Sequence, residues 1–411
     1  MPKLDRQLDR LLRAELKRQQ ETLSLIPSEN IASDAVLDVG ASVLTNKYSE
    51  GYPGHRYYAG NEHVDAIERL AISRIKKLFG AQHANVQPHA GAIANLAVYA
   101  ALLKPGDRVL AMDLRAGGHL THGFKRNLSG QVYRFAHYGL DRHGLLDYRE
   151  LARLAKSFRP KLIVSGASAY PRQIDFARIG RIAKRVGAYH LADVAHLAGL
   201  IIAKQHPNPF PHADVVTFTT HKTLRGPRGA IILSRRELAS DIDRAVMPGL
   251  QGGPLDQQIA AKAQAFAESA TPAFRSYQRR VRQNADAMAK TFTTAGLTLS
   301  SGGTDTHLLV IDVRSLGLTG AIAERALEKV GIITNKNLIA NDPRPASDPS
   351  GLRLGTPSIT SRGFSSTATR ELGQAIVARL KAPRSARSEH EVSRTVRRLT
   401  KRYPIYRSRV R

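Results

Sequence analysis

Short apolar strands alternate with helices through the middle of this 411-residue chain. Residues 161–165, 189–192 and 215–220 are rich in β-branched and other apolar side chains, which is typical of buried strands. An amphipathic helix is predicted for residues 176–186, between the first two strands. Because strands joined by helices pair mainly in parallel, this alternation predicts an α/β fold. Ligands of such folds bind at the carboxyl ends of the strands.

Polar side chains stand at or just past these strand ends. They are Ser168, Asp193, His196 and Lys222, which together supply a hydroxyl, a carboxylate, an imidazole and an amine. An isolated lysine after a strand is usually a surface residue. Desolvation, however, lowers the pKa of a lysine and lets its amine attack a carbonyl. With the other three groups nearby, we predict that Lys222 forms a Schiff base with pyridoxal phosphate.

Three further stretches carry candidate functional groups. Residues 89–92 form a glycine turn before a helix of small residues, and a helix N-terminus favours a phosphate group. The loop of residues 45–60 contains Glu50 among four tyrosines, which makes Glu50 a candidate proton carrier. Arg353 lies in an apolar strand, where its planar fork fits a carboxylate.

His119 and His122 suggest two different sites. Their spacing of three residues is compatible with a metal site, but no third ligand follows at helical spacing. An aromatic ring stacked on a planar cofactor is the favoured interpretation of His119. We therefore predict no metal.

Four segments are expected along the chain. They are an N-terminal helical arm of residues 1–45, a large cofactor-binding domain of residues 46–271, a small domain of residues 272–383 and a basic tail of residues 384–411.

Several helices are predicted at specific positions. The arm contains an amphipathic helix over residues 4–25 and a second over residues 34–43, for which Ser28 is a candidate N-cap. A single long helical run is expected over residues 256–295, and a helix of residues 389–402 is predicted in the tail.

The net charge of +28 arises from 62 Lys and Arg against 34 Asp and Glu. Such an excess is compatible with an anionic partner. From residue 381 onward there are eleven basic and two acidic residues, so most of the excess is spread over the rest of the chain. No nucleic-acid motif accompanies it, and nucleic-acid binding is expected to be incidental.

Composition also excludes several classes of protein. The chain has no cysteine, which excludes disulfides, thiolate catalysis and zinc–thiolate sites. No apolar run is long enough to span a membrane, and the first twenty residues are charged throughout rather than signal-like. We therefore expect no membrane partner and a cytoplasmic location.

Long motifs in a fixed order resemble those of a fold-type I pyridoxal-phosphate enzyme, and more closely the serine hydroxymethyltransferase family. The likeness extends from about residue 23 to residue 380. The stretches that carry it are residues 44–58, 84–89, 117–123, 193–196, 219–224, 251–254, 334–337 and 353–359.

This resemblance implies a fold and an activity. The fold would be a large domain with a mainly parallel, seven-stranded type of sheet, followed by a smaller C-terminal α/β domain. The activity would be the reversible interconversion of serine and glycine, with pyridoxal phosphate as cofactor and tetrahydrofolate as one-carbon acceptor. The active unit would be a homodimer, or a dimer of dimers, with shared active sites.

The resemblance also assigns roles to residues. The implied catalytic residues are Lys222, Glu50, His119, Asp193, His196, Thr219 and His221. Cofactor contacts are implied for Tyr48, Gly91, Ala92, His119, Ser168, Asp193, His196, Lys222, Gly252 and Gly253. Substrate and folate contacts are implied for Ser28, Glu50, Tyr58, Arg353, Leu114, Gly118, Leu120 and Asn337.

The chain departs from the family pattern at the phosphate turn. Hydroxyl side chains are usual there, but this sequence has Ala90 and Ala92. Losing two hydroxyl donors predicts weaker cofactor affinity. Two alternatives to the leading function follow: a folate-independent threonine aldolase or transaldolase, and a cofactor-poor paralogue that binds polyanions.

Overall fold

The computed structural model describes residues 4–409, which form two compact units. One unit contains residues 32–279, and the other contains the described residues up to 31 and from 280 onward. The predicted division into four segments, by contrast, places residues 1–45 in an arm of their own. That division stays a prediction.

The helices of the described residues are numbered along the chain. They are α1 (Arg6–Glu21), α2 (Asp34–Gly40), α3 (Glu62–Phe79), α4 (Gly91–Leu102), α5 (Leu128–Val132), α6 (Tyr148–Phe158), α7 (Phe176–Val186), α8 (Ala198–Ile202), α9 (Ala239–Arg244), α10 (Asp256–Ser269), α11 (Pro272–Thr294), α12 (Gly320–Glu328), α13 (Pro357–Ser361), α14 (Ser366–Lys381) and α15 (Ala386–Arg402).

The strands are numbered in the same way. They are β1 (Leu23–Ser24), β2 (Gly51–Tyr52), β3 (His55–Arg56), β4 (His83–Asn85), β5 (Arg108–Met112), β6 (Arg134–Tyr138), β7 (Leu162–Ser165), β8 (Tyr189–Asp193), β9 (Val215–Thr219), β10 (Ala230–Ser234), β11 (Thr298–Leu299), β12 (Leu308–Asp312), β13 (Ile332–Ile333), β14 (Asn335–Asn337) and β15 (Gly351–Gly355).

A seven-stranded sheet organises the unit of residues 32–279. Its strand order is β4-β10-β9-β8-β7-β5-β6. The five strands from β9 to β6 are parallel, whereas β10 runs antiparallel to both of its neighbours. The expected mainly parallel sheet is therefore confirmed. Its parallel strands present their carboxyl ends along one edge.

Helix α7 shows how local sequence sets the element bounds. Asp175 is the N-cap, and its side chain accepts a hydrogen bond from the Arg178 N–H. Gly187 ends the helix with a φ of 69°, a left-handed conformation that glycine adopts without strain. Phe176 and Ile179 lie on its buried face. Capping residues and an apolar stripe thus fix both ends and the orientation of this helix.

The unit of residues 32–279 has its core between the sheet and its helices. Strands β5, β7, β8, β9 and β10 pack their apolar side chains against α4 and α9. Tyr99 of α4 is fully buried in this core, and its hydroxyl donates to the Thr121 carbonyl (2.8 Å). This packing anchors the helix that follows the predicted phosphate turn.

The second unit is built on a four-stranded antiparallel sheet with the order β11-β12-β15-β14. Strand β1 pairs in parallel with β13. The sheet packs with α12, α14 and α15 around a core that includes Leu23 and Leu25. Val392, Val396 and Leu399 of α15 are buried in that core. Most of the predicted basic tail is therefore a packed helix, while residues 410 and 411 lie outside the described part.

Three helix predictions were wrong. The helix predicted over residues 4–25 ends at Glu21, because Leu23 and Ser24 pair with β13 as strand β1. The N-cap of α2 is Ser33, whose hydroxyl accepts from the Val36 N–H, whereas Ser28 lies in a turn after β1. The helical run predicted over residues 256–295 is two helices, α10 and α11. Pro272 begins α11, where its missing N–H leaves no hydrogen bond unmade.

Within residues 4–409, no helix is both long enough and apolar enough to cross a membrane.

Candidate active site

Strands β8 and β9 end side by side at the carboxyl edge of the seven-stranded sheet. Asp193 is the last residue of β8 and pairs with Thr217 of β9. Thr219 ends β9, and His221 and Lys222 follow directly. Parallel pairing therefore brings the predicted carboxylate and the predicted amine to the same edge.

The loop that carries Lys222 is closed by hydrogen bonds. The Gly226 N–H donates to the Thr220 carbonyl (2.7 Å), and the Thr220 hydroxyl donates to the Pro227 carbonyl (2.6 Å). Lys222 lies inside this loop and is only 9% exposed. The fold thus holds its amine in a largely desolvated position.

Asp193 is held by three donors. Asn95 Nδ2 lies 2.8 Å and His122 Nε2 lies 3.2 Å from Asp193 Oδ2, and the Ala195 N–H donates to Oδ1 (3.1 Å). Burial alone would raise the pKa of Asp193, but the hydrogen bond and charge of His122, with Asn95, hold this pKa below its usual range. Asp193 is therefore a buried anion at neutral pH.

His119 is a neutral ring beside this anion. Its Nδ1 lies 2.8 Å from the Thr121 hydroxyl oxygen. Burial lowers the pKa of His119 to about 4, although Asp193 acts in the opposite direction. The described residues contain no group of three or more His, Cys, Asp or Glu side chains that could hold a metal ion. Stacking of His119 on a cofactor ring stays a prediction.

A cavity of about 210 Å³ brings nine of the twenty predicted site residues together. Among the predicted residues it is lined by Gly91, Ala92, His119, Ser168, Asp193, His196, Thr219, His221 and Lys222. We call this cavity the Lys222 pocket. Further lining comes from Ala90, Ala167, Ala195, Thr217, Phe218 and Arg228.

The start of α4 supplies donors to the Lys222 pocket. Ala90 is the N-cap of α4, and its methyl side chain provides no cap. The backbone N–H groups of Gly91, Ala92 and Ile93 have no hydrogen-bond partner within residues 4–409. A Cβ atom at Gly91 would come within 2.8 Å of Thr219 Cγ2, so glycine allows this close approach. A helix N-terminus with three unpaired donors suits an anionic group.

His221 adds a second unpaired group. Its Nδ1 is buried and has no hydrogen-bond partner in the described part of the chain. Burial, with the nearby charges of Arg228 and Lys222, lowers the pKa of His221 to about 3. A neutral imidazole with a free nitrogen is thus available to a bound group.

Glu50 and its neighbours form a separate cluster. A Cβ atom at Gly252 would lie 2.9 Å from Glu50 Oε1, and one at Gly253 would lie 3.3 Å from the Tyr48 ring. Tyr48 and Tyr58 stack edge to face with their centroids 5.3 Å apart. None of these five residues lines the Lys222 pocket of the same chain. The structure therefore brings together two groups of predicted site residues rather than one.

Three of the residues predicted near folate, Leu114, Gly118 and Leu120, lie on the connection after β5. Gly118 is buried, and a Cβ atom there would lie 2.3 Å from the Met112 carbonyl oxygen, so only glycine fits. Leu114 is half-buried, while Leu120 is 47% exposed. Neither leucine lines the Lys222 pocket.

Three predicted residues belong to the second compact unit. Arg353 lies on β15, and its Nε donates to Asn335 Oδ1 (3.1 Å). Burial lowers its pKa to about 10, so it is still a cation at neutral pH. Asn337 lies on β14 opposite Gly351, and Ser28 lies in the turn after β1.

The sequence was also compared with known proteins. The profile of the serine hydroxymethyltransferase family matches residues 1–376. A serine hydroxymethyltransferase from Polynucleobacter necessarius subsp. necessarius (strain STIR1) is 52% identical over 406 residues, which cover 99% of this chain and 98% of that protein.

The chain belongs to the serine hydroxymethyltransferase family. The resemblance proposed from the sequence motifs is confirmed, and so is the fold. Serine hydroxymethyltransferases are fold-type I enzymes that use pyridoxal phosphate and take tetrahydrofolate as cosubstrate.

The Lys222 pocket fits the cofactor of this family. The buried anion Asp193 suits the protonated ring nitrogen, and the amine of Lys222 suits the aldehyde. The three unpaired N–H groups at the start of α4 suit the phosphate group. The fit does not depend on the hydroxyl side chains that Ala90 and Ala92 lack.

Sequence reasoning missed three residues of the site. Asn95 and His122 hold Asp193 from 98 and 71 positions away in the sequence, and Arg228 lines the Lys222 pocket. A polar Asn95 within the small apolar residues of α4 was the available signal. His122 was noticed only as a metal candidate.

Proposed function

We propose that this chain is a pyridoxal-phosphate-dependent serine hydroxymethyltransferase that interconverts serine and glycine with tetrahydrofolate as one-carbon acceptor. The observation that carries the proposal is the Lys222 pocket. There a desolvated amine, a buried carboxylate and the unpaired backbone N–H groups of Gly91 and Ala92 line one cavity.

The residues of this pocket hold different parts of the cofactor. Lys222 binds the cofactor covalently, and Asp193 pairs with its ring nitrogen. His119 stacks on the ring, and Ser168 and His196 contact its phenolic oxygen. When bound, the cofactor supplies an electron sink for negative charge that develops at the substrate Cα.

The substrate carboxylate is bound by Arg353. Its guanidinium is a cation, and the Asn335 side chain orients it. A planar guanidinium binds a carboxylate through two parallel hydrogen bonds, which also fixes the orientation of the substrate. Ser28, Tyr58 and the folate-lining residues Leu114, Gly118, Leu120 and Asn337 complete the substrate contacts.

Proton transfer is assigned to Glu50, with Thr219 and His221 beside Lys222. A carboxylate that accepts and returns a proton must lie within hydrogen-bond reach of the substrate. Glu50 does not line the Lys222 pocket of its own chain. The proposal therefore includes a homodimer in which Glu50, Tyr48, Gly252 and Gly253 of one subunit complete the pocket of the other.

Mixed dimers test this shared site. Lys222→Ala and Glu50→Gln each inactivate a homodimer. After subunit exchange, a mixed dimer contains one site with both defects and one intact site, so roughly a quarter of wild-type activity returns at equal mixing. If Glu50 served the pocket of its own chain, mixing would restore nothing.

Two measurements test the activity itself. Pyridoxal phosphate added to the wild-type protein should produce the visible absorbance of a lysine-bound cofactor, and Lys222→Ala should lose it. Glycine should then form from serine only when tetrahydrofolate is present. Cleavage of threonine with no folate-dependent use of serine would favour the aldolase, and no cofactor absorbance would contradict both. The cytoplasmic location stays a prediction.

A further inference from the structure

Lys262 is a buried lysine of α10 that does not line the Lys222 pocket. Only 2% of its surface is exposed. Its Nζ donates to the carbonyl oxygens of Val86 (2.6 Å), Pro88 (3.2 Å) and Ala230 (3.1 Å). Three backbone acceptors thus satisfy all the donors of this ammonium group.

Two of these carbonyls, those of Val86 and Pro88, belong to the peptide that leads into the phosphate turn. Val86 and Pro88 immediately precede the turn of residues 89–92. Ala230 begins β10, and its own N–H donates to the Pro88 carbonyl (3.0 Å). Lys262 therefore ties the peptide before the turn to the strand beside β9.

Gly229 makes room for this lysine. A Cβ atom at Gly229 would lie 2.4 Å from Lys262 Cε. No other residue fits there unless the lysine moves.

Gln251 holds the same peptide from another element. Its Oε1 accepts from the His89 N–H (3.0 Å), and its Nε2 donates to the Gln87 carbonyl (3.2 Å). Residues 86–89 are therefore hydrogen-bonded through their backbone on two sides.

This arrangement matters because Ala90, Gly91 and Ala92 of the turn carry no side-chain donors. With Ala90 and Ala92 in place of hydroxyl residues, a phosphate group depends on the backbone N–H groups at the start of α4. The strength of such donors depends on how well their directions are fixed before the ligand binds. Holding the preceding peptide fixes those directions.

We propose that Lys262 is a positioning residue for the cofactor phosphate: by holding the carbonyls of Val86, Pro88 and Ala230, it fixes the backbone donors of Gly91 and Ala92. This inference rests on the proposed cofactor. It assigns Lys262 no contact with the cofactor and no part in proton transfer.

The test compares pyridoxal phosphate with pyridoxal, which lacks the phosphate group. Both are titrated into the full-length apoprotein as wild type, as Lys262→Met, and as Lys77→Met, an exposed lysine of α3 that serves as the control. Lys262→Met should weaken the binding of pyridoxal phosphate about tenfold or more, and the binding of pyridoxal less than about threefold. The difference is expected because only the phosphate group contacts the turn. Lys77→Met should change neither.

Two results would overturn the proposal: an unchanged affinity for pyridoxal phosphate, or an equal loss for both ligands, which would mean that Lys262 supports the pocket as a whole. If wild type itself fails to bind pyridoxal phosphate, the proposed function fails instead. Should Lys262→Met not fold, Gly229→Ala displaces Lys262 more mildly. Gly229→Ala should lower the ratio of the affinity for pyridoxal phosphate to the affinity for pyridoxal. An unchanged ratio would contradict the proposal.

Discussion

The two ends of the Lys222 pocket differ in the groups that supply their hydrogen bonds. At the ring end, side chains from α4 and from the connection after β5 hold the charge of Asp193. At the phosphate end, Ala90 and Ala92 contribute only methyl groups, and the donors belong to the backbone. Side chains therefore form the interactions of the ring end, and backbone N–H groups form those of the phosphate end.

This contrast predicts where substitutions act. A side chain that holds a buried charge cannot be replaced without leaving that charge unpaired, which is costly. A backbone donor is insensitive to its own side chain but depends on what fixes the peptide. Changes at the ring end should therefore lower turnover, and changes at the phosphate end should alter cofactor affinity.

The largest effect is expected for Asp193→Asn. The amide is nearly the same size but cannot keep a ring nitrogen protonated, so kcat should fall about a thousandfold, as expected when the charge of a buried pair is removed. Steady-state formation of glycine from serine measures this. Asp241→Asn, an exposed aspartate of α9, is the control. A kcat within about threefold of wild type would show that Asp193 does not act on the cofactor.

Asn95→Ala should have the next largest effect. It removes a donor to Asp193 and the acceptor of the Thr217 hydroxyl, while Asp193 keeps its charge. Loss of one charge-assisted hydrogen bond predicts a fall in kcat of about tenfold to a hundredfold. A wild-type kcat with lowered cofactor affinity would contradict the assignment of Asn95 to the ring end of the pocket.

Two histidines, the half-buried His119 of the Lys222 pocket and the buried His190 of β8, should also make stability depend on pH. Burial lowers the pKa of both His119 and His190 to about 4, from an ordinary value of 6.5. Below pH 6.5 the unfolded chain binds protons that the folded chain does not, so the free energy of unfolding falls as the pH drops toward 4. For these two histidines, the free energies of unfolding from urea titrations of the apoprotein at pH 7 and pH 5 should differ by roughly 3–4 kcal/mol. His119→Asn should reduce this difference between the two pH values. An unchanged difference would show that burial of His119 does not contribute to the pH dependence of stability.

The smallest effect is expected for Ala92→Ser, which restores one hydroxyl at the phosphate end. One added hydrogen bond to the phosphate should strengthen pyridoxal phosphate binding about threefold to tenfold and leave kcat within about twofold. Ala100→Ser, an exposed position of the same helix, is the control. A change in kcat without a change in cofactor affinity would contradict the view that the phosphate end controls cofactor affinity rather than turnover.

Local patterns predicted much of the sheet unit. Helix Phe176–Val186 has the predicted bounds, and the three predicted strands agree with β7, β8 and β9 to within one residue at each end. Strand Arg134–Tyr138 and helix Tyr148–Phe158 were not predicted. That strand is only half apolar, because it lies at the edge of the sheet and pairs with β5 alone.

The site was predictable where chemistry sits at strand ends, and not where it depends on contacts between distant residues. Asp193 and Lys222 follow short apolar strands, so their meeting follows from parallel pairing. The hydrogen bonds of Asn95 and His122 to Asp193 depend on how α4 and the connection after β5 pack, which no local pattern encodes. The same holds for Lys262, whose three acceptors lie 32 to 176 residues away.

Exchange of the α-hydrogen of glycine with solvent deuterium, followed by proton NMR without folate, tests the central claim most directly. It reports whether the Lys222 pocket activates a bond to Cα, independently of any one-carbon acceptor. The cofactor-loaded wild type should exchange this hydrogen, Ala92→Ser should match it at saturating cofactor, and Lys222→Ala and Asp193→Asn should lose it. Exchange that persists in Lys222→Ala, or is absent from the cofactor-loaded wild type, would contradict the account.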